Sequence, residues 1–317
     1  MKKNRIGIVA ISFLFASIII GGQAAASKTG SAEKKDIVTY TIGYLPITHA
    51  LPVFEEKELL EKEGADVQIK LQKFSSWSDL TDALHAGKID GASELIELAM
   101  SAKAKGVDLK AVALGHRDGN VIITNEKIQD PADMKGKTFA IPSTQSSHYI
   151  LLREELEKAG LTLDDIQVTQ LAPAEMPSSL ASGAIDGYCV AEPFGAQAVT
   201  QGFGKVLAYS NDLWDDSLCC GLVFRTDVIQ RDPSAFQKLL DGYLKAGERL
   251  DQEEALRIAQ EYLGQDETTL ETSLEWISYQ DLSISEEAYD ALYKKVIQDQ
   301  VMDNQPSYEE FIYTAKE

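Results

Sequence analysis

A short segment of this chain occurs twice. Residues 84–91 read LHAGKIDG, and residues 180–187 read LASGAIDG, 96 positions further on. In each copy a glycine suits the left-handed turn that ends a helix, and Ile-Asp-Gly then suits entry into a buried strand. The alternative is a chance likeness of two helix-to-strand turns, but the spacing is that of a whole lobe. The repeat therefore predicts two similar α/β lobes.

The rest of the mature chain agrees with this prediction. Short apolar runs alternate with helical patterns, the order typical of α/β lobes with mainly parallel sheets. We predict strands at residues 38–44, 65–72, 90–93, 111–114, 137–141, 167–171, 185–190 and 222–225, and helices at 51–62, 76–86 and 147–159.

The order of these elements predicts a discontinuous first lobe. We place lobe one at residues 37–122, lobe two at 123–222, and a return to lobe one with C-terminal helices at 223–317. Asp232 suits the N-cap of the first returning helix, and Pro233 its first position. Two crossings of the chain between lobes would then form a hinge.

The N-terminus has the pattern of a signal peptide. Residues 1–26 combine a positive start, an apolar run of 15 residues and the cleavage signal Ala24-Ala25-Ala26, followed by a flexible leader at 27–36. An uncleaved membrane anchor is the alternative, but the run is short for a span. The signal pattern predicts export to the periplasm or another extracytoplasmic space. Because no cysteine follows the apolar run as a lipid-anchor site, we expect a free protein rather than a lipoprotein.

Composition and motifs limit the function. The 30 Lys+Arg and 50 Asp+Glu residues give a formal net charge of -20, which repels nucleic acid phosphates and anionic lipids. Nucleic acid is therefore not an expected partner. The sequence has neither a GxSxG motif nor a Walker loop, so we predict a monomeric binding protein without a cofactor rather than an enzyme.

Ligands of open α/β sheets lie beyond the carboxyl ends of the strands. The loops that follow the predicted strands should therefore line a cleft between the lobes. Trp214, in a polar stretch, is also predicted to contact the ligand. The loop residues predicted to bind ligand are Thr48, His49, Glu94, His116, Thr144, Ser146, Ser147, His148 and Glu192.

Residues 143–147 read STQSS and precede an amphipathic helix. Hydroxyls and free N–H groups at a helix start can hold an anion without a full positive charge, although simple N-capping by one serine is the alternative. Glu192 complicates this prediction, because a buried acid beside an anion is costly unless it is protonated or paired. A ligand that carries an amine would remove that cost.

Three histidines, His49, His116 and His148, fall on predicted cleft loops. Together with Glu94 or Glu192 they have the chemistry to bind a transition metal, but no HxH or HExxH spacing supports this. We therefore interpret them as hydrogen-bonding residues and expect no metal.

The cysteines leave three alternatives open. Cys189, Cys219 and Cys220 are small buried hydrophobic residues, or Cys189 forms a disulfide, or the thiols bind a soft metal or organometal species. Because successive strand residues face opposite sides, one of the adjacent pair would approach Cys189 or the cleft.

Three segments carry a family resemblance: GYLPITHALPVF at 43–54, STQSSHYILLREELEKAGL at 143–161 and GAIDGYCVAEPF at 183–194. They resemble the solute-binding proteins of bacterial ABC importers for sulfonates, taurine, nitrate and thiamine precursors. The resemblance implies a type II periplasmic-binding fold, whose lobes close over a small anionic or zwitterionic solute and deliver it to a permease with its ATPase. It also implies that Thr144, Ser146, Ser147 and His148 contact the anionic end of the ligand. A sensor without transport, or a receptor for a thiophilic solute, is the alternative.

Overall fold

The structure, a computed structural model, describes residues 37–314. The predicted signal peptide (1–26) and leader (27–36) lie outside the described residues. Within the described part of the chain, no helix has the length and apolarity needed to cross a membrane. Two five-stranded sheets and one two-stranded sheet organise these residues.

The first sheet is built from two distant parts of the chain. Its strand order is β2-β1-β3-β11-β4, in which β1 pairs in parallel with β2 and β3, while β11 pairs antiparallel with β3 and β4. The strands are β1 (Val38–Tyr44), β2 (Val67–Lys73), β3 (Gly91–Leu95), β4 (Leu109–Leu114) and β11 (Cys220–Arg225).

The second sheet repeats this arrangement. Its order is β8-β7-β9-β6-β10, with β7 parallel to β8 and β9, and β6 antiparallel to β9 and β10. The fourth strand of each sheet is therefore the antiparallel one, and each follows a crossing between the sheets. The strands are β6 (Asn120–Thr124), β7 (Thr138–Ile141), β8 (Gln167–Gln170), β9 (Gly187–Ala191) and β10 (Lys205–Tyr209).

Helices connect these strands and continue beyond them. The helices that accompany the first sheet before the crossing are α1 (Leu51–Glu63), α2 (Trp77–His85) and α3 (Ile96–Ala104). Those between strands of the second sheet and at the second crossing are α4 (Ser147–Glu157), α5 (Met176–Ala181), α6 (Phe194–Thr200) and α7 (Ser210–Leu213). The C-terminal helices are α8 (Thr226–Arg231), α9 (Pro233–Arg249), α10 (Gln252–Tyr262), α11 (Glu267–Leu274), α12 (Glu286–Gln298) and α13 (Tyr308–Phe311).

The repeated segment has the same role in both sheets. The Asp90 carboxylate accepts a hydrogen bond from the Thr41 N–H at 2.8 Å, and the Asp186 carboxylate accepts one from the Thr138 N–H at 3.0 Å. Each aspartate also donates its own N–H to the carbonyl of the same threonine, at 2.8 Å. The repeated Asp therefore fixes the start of β3 or β9 against the neighbouring parallel strand.

The lobe boundaries predicted from the sequence each fall inside a strand. Residues 122 and 123 both belong to β6 of the second sheet, and residues 222 and 223 both belong to β11 of the first. The crossings are residues 115–119 and 210–219. The error has a physical reason, since an apolar strand next to a crossing has the same pattern whichever sheet it joins.

The two crossings and a C-terminal segment are tied together beside the hinge. β5 (Arg117–Asp118) pairs with β12 (Ile277–Ser278) in the two-stranded sheet. The Arg117 guanidinium forms ion pairs with Asp216 on the second crossing and Asp281 on the C-terminal segment.

The predicted N-cap of α9 is confirmed, because the Asp232 side chain accepts the Ala235 N–H at 3.0 Å.

Candidate functional site

Four metal-ligating side chains meet where the first sheet reaches the crossings. His49 lies in a 3-10 turn after β1, His116 on the first crossing, Cys219 at the end of the second crossing and Cys220 at the start of β11. All four are at most 2% exposed, and one ligand atom from each lies within 4.8 Å of the others. We call these four residues the central cluster.

Backbone carbonyls orient both histidine rings. His49 Nε2 lies 3.1 Å from the Gly119 carbonyl oxygen, and His116 Nδ1 lies 2.6 Å from that of Asp118. Because a carbonyl oxygen only accepts, these ring nitrogens carry the protons of the neutral imidazoles. The lone pairs of His49 Nδ1 and His116 Nε2 are then available, and the latter accepts a long bond of 3.4 Å from the Cys220 N–H.

The two cysteine sulfurs are close but not bonded. Their Sγ atoms are 3.8 Å apart, and His49 Nδ1 lies 3.3 Å from the Cys220 sulfur. Burial alone raises the pKa of the Cys219 thiol, but the contact with Cys220 and the neighbouring histidines lower that pKa well below its usual range. Burial, together with the Cys219 sulfur, raises the pKa of the Cys220 thiol. The pKa values of the two neighbouring thiols are therefore shifted in opposite directions.

The second lobe contributes the start of α4. Ser146 is the N-cap of this helix, and its hydroxyl donates to the Ser143 carbonyl at 2.7 Å. Both ring nitrogens of His148 are buried without a hydrogen-bond partner among the described residues, and Ser147 lies beside the Glu97 carboxyl, whose pKa it lowers in opposition to burial. Burial, the largest cause, lowers the pKa of His148 to about 4. The helix start therefore adds uncharged, unsatisfied polar groups to the site.

Three carboxyl groups are also fully buried near the lobe interface. Burial raises the pKa of Glu94 to about 7, although a hydrogen bond from the Thr81 hydroxyl opposes this. Burial likewise raises the pKa of Glu192 to about 8, against a bond from the Ala196 N–H. Glu97 at the start of α3 has a pKa raised well above its usual range by burial and by the Cys219 sulfur.

Direct contacts join the two lobes around this site. The N–H and hydroxyl of Thr48 both donate to the Glu192 carbonyl, at 2.9 and 3.0 Å. On the other side, the Gln145 amide donates to the Val301 carbonyl at 3.3 Å. The structure therefore represents a closed arrangement in which solvent does not reach the central cluster.

Some predicted residues lie elsewhere. Thr144 is exposed, because only the residues from 146 onward turn inward, and its N–H donates to the Gln170 side chain at 3.2 Å. Trp214 is buried and packs its ring against Lys295. Cys189 lies within β9 of the second sheet and outside the central cluster, and its thiol is free and buried, so of the three alternatives for the cysteines the disulfide is not formed.

Sequence reasoning missed two members of the site. Glu97 lies among apolar residues, three positions after Glu94, and an acid in such surroundings is itself a signal of a special role. Asn120 begins β6, and its side-chain oxygen lies 3.6 Å from the Cys219 sulfur, within range of a weak S–H hydrogen bond.

The charge of the site is opposite to that of an ordinary anion pocket. Acidic and thiol groups from both lobes are buried here, whereas no lysine or arginine is buried anywhere in the part of the chain that the structure describes. An anionic ligand would therefore find helix-start N–H groups but no full positive charge, and it would face Glu97 and Glu192.

Comparisons with known proteins agree with this architecture. Residues 32–264 match the profile of a family described as NMT1-like. A curated relative, the nitrate import ATP-binding protein NrtC of Synechocystis, is 28% identical over 81% of this chain and 41% of its own length. The chain thus spans about two fifths of that relative.

Solved structures give the fold. The ligand-binding component of an ABC-type import system from Staphylococcus aureus, solved with zinc bound, is 37% identical with a TM-score of 0.84, over 87% of this chain and 96% of that one. The periplasmic nitrate-binding protein NrtA of Synechocystis is 19% identical with a TM-score of 0.75, over 84% and 83%. The predicted periplasmic-binding-protein fold is therefore confirmed.

Proposed function

The chain belongs to the NMT1-like family, and from this membership we propose that it is the exported solute-binding component of an ABC importer. It captures a small solute between its lobes and delivers the solute, chemically unchanged, to a membrane permease with its ATPase. The signal pattern of residues 1–26 supports export from the cytoplasm. The protein would act as a monomer whose two lobes supply the binding site.

One observation carries this proposal: both lobes bury unsatisfied polar groups against each other at a hinge. The first lobe supplies one carboxyl oxygen of Glu94, and the second supplies both ring nitrogens of His148 and one carboxyl oxygen of Glu192. Unpaired buried polar groups cost about 1–3 kcal/mol each, so they favour a closed state only when a bound molecule satisfies them. A solute with differential affinity for the closed state would therefore drive closure.

The class of solute does not follow from relatedness alone. Two of these relatives are named for nitrate, and a third was solved with zinc bound. A small anion held by the start of α4 was the expectation from the sequence, and the unpartnered ring nitrogens of His148 support it. The absence of a buried lysine or arginine from the described residues argues against it.

Closure is testable without knowing the solute. Protein purified natively from cells is expected to carry its solute, whereas protein dialysed in denaturant and refolded is expected to lose it. Small-angle scattering should show a smaller radius of gyration for the native sample. The soluble extract released by heating native protein should restore compaction of the stripped sample. Identical scattering from both samples, with matching circular dichroism and no response to the extract, would contradict the proposal.

A transport role differs from a sensor role in its partner. Vesicles that contain the partner permease and ATPase should hydrolyse ATP faster with solute-loaded protein than with stripped protein. A sensor that uses the same fold would close on its solute but leave ATP hydrolysis unchanged.

A further inference from the structure

This inference deepens the proposed function and rests on it. We propose that the solute is a thiophilic divalent metal ion of the zinc class, bound in tetrahedral geometry by His49, His116, Cys219 and Cys220.

The separations of the two sulfurs and His49 Nδ1 already fit such an ion. Zinc binds sulfur at about 2.3 Å and nitrogen at about 2.0–2.1 Å, so the edges of its tetrahedron are about 3.8 Å between sulfurs and about 3.5 Å between sulfur and nitrogen. The two Sγ atoms here are 3.8 Å apart. His49 Nδ1 lies 3.3 Å from the Cys220 sulfur and 4.0 Å from the Cys219 sulfur.

The surroundings of the rings are those of metal-binding histidines. Such histidines usually donate their outer N–H to a carboxylate or a backbone carbonyl, which fixes the tautomer and aims the other nitrogen at the metal. His49 and His116 each donate to a carbonyl of the first crossing, from Gly119 and Asp118. The two ring planes are stacked at 24° with centroids 3.4 Å apart, so coordination of both inner nitrogens to one ion requires the rings to open from this stacked arrangement.

Electrostatics also favours a cation. The Cys219 sulfur is buried beside the Cys220 sulfur, the Glu97 carboxyl and the Asn120 side-chain oxygen, and no lysine or arginine is buried among the described residues. A divalent ion supplies the positive charge that this group of donors lacks. Soft sulfur ligands select against hard ions such as magnesium and calcium.

The position of the ligands connects binding to lobe closure. His116 and Cys219 lie on the two different crossings, and Cys220 follows directly after the second. An ion bound to all three would hold the crossings together at one spacing. His148 from the second lobe, whose ring nitrogens are unpartnered, then lies beside the filled site. Metal binding is therefore expected to stabilise the closed arrangement described above.

The binding step is an acid–base exchange without oxidation. The ion gains two sulfur and two nitrogen bonds and loses bound water, and any proton still on the two thiols leaves to solvent. The neutral histidines keep their outer protons on the hydrogen bonds to the carbonyls.

Titration calorimetry with Zn²⁺ alone tests the proposal. The sample is the whole protein in the form that the cell produces, after its solute has been stripped. One ion per chain is expected. The Cys219→Ala/Cys220→Ala variant should bind at least about 100-fold more weakly, because outer-shell partners alone contribute about 10- to 100-fold to metal affinity. Cys189→Ala is the matched control, since it removes a buried thiol outside the central cluster. Its affinity should stay within about threefold of wild type.

The absorption spectrum of bound cobalt reports directly on sulfur coordination, so it separates the loss of a metal ligand from a general loss of structure in the variant. Co²⁺ in the stripped wild-type protein should show the intense visible absorption of tetrahedral cobalt and a sulfur-to-cobalt charge-transfer band. The charge-transfer band should be absent from the double variant and present in Cys189→Ala. Octahedral cobalt in the wild-type protein would overturn the proposal.

The outcomes separate this inference from the importer function. Compaction by Zn²⁺ to the radius of the native sample supports both. Compaction by cell extract that contains no bound transition metal, with no response to Zn²⁺, overturns the metal proposal and leaves the importer function standing. Zinc binding without a change in radius also overturns it, because the ion would then be a fixed structural component and not the solute.

Discussion

Replacing Glu94 by glutamine is expected to leave stability nearly unchanged at pH 4 and to raise it by about 3 kcal/mol at pH 8. Glu94 is fully buried, and burial raises its pKa from 4.5 to about 7. The folded protein therefore retains this proton at pH values where the unfolded chain has lost it. Since the unfolded state binds fewer protons, the wild-type protein loses stability as pH rises from about 4.5 to about 7. Glutamine is neutral throughout and can still accept the Thr81 hydroxyl.

The measurement is urea unfolding of both proteins between pH 4 and pH 9, with a chelator present so that metal does not contribute. Other buried carboxyl groups with raised pKa values, such as Glu192, titrate in both proteins and cancel in the difference. The difference should grow up to about pH 7 and then stay flat. Glu126→Gln, at an exposed position, should change stability by less than about 0.5 kcal/mol at every pH. A Glu94→Gln effect that does not vary with pH would refute this explanation.

The strands that the sequence predicted well are those with local signals at both ends. β1 was predicted with the observed bounds, and β3 and β9 were predicted to within two residues at each end, because the repeated Gly and Ile-Asp-Gly positions mark their starts. β6 and β10 were missed. β6 begins directly after the crossing, without a helix and turn before it, and β10 is a half-buried edge strand, so neither has a flanking signal.

The sequence predicted those residues of the candidate site that follow parallel strands. Loops after parallel strands meet at one edge, and this rule places His49, Glu94 and Glu192 near the lobe interface. It does not cover antiparallel strands, whose first residues lie at that same edge. Cys220 pairs with Leu95 at the end of β3, and Asn120 pairs with Ala191 at the end of β9. The thiols and the asparagine therefore enter the site through β11 and β6, whose direction the sequence did not reveal.

The contribution of the α4 start to the candidate site was likewise predicted only in part. The sequence indicated that hydroxyl groups from 143 to 147 precede a helix, but all of them looked equivalent. Which of them turn inward depends on the neighbouring strand, because Gln170 on β8 holds the Thr144 N–H at the surface. Such a contact between residues far apart in sequence leaves no local pattern.

The glycines that end the repeated segment are expected to differ sharply when each is replaced by alanine. A Cβ at Gly187 would lie 2.4 Å from the Phe139 ring and 2.7 Å from the Ile123 carbonyl oxygen, and the latter belongs to the paired backbone of β6. The three atoms nearest to a Cβ at Gly91 all belong to the Phe224 ring, at 2.6 and 2.7 Å. Because a ring can shift more easily than a paired strand, we expect Gly187→Ala to destabilise by about 3 kcal/mol or more and Gly91→Ala by about 1 kcal/mol. Urea unfolding of both variants measures this. In a Phe139→Leu background, the loss of stability caused by Gly187→Ala should become smaller but persist, since the contact with the Ile123 carbonyl remains. Two results would show that the β6 backbone does not impose the constraint. One is an equal loss of stability at the two glycines, and the other is a Gly187→Ala loss that disappears in the Phe139→Leu background.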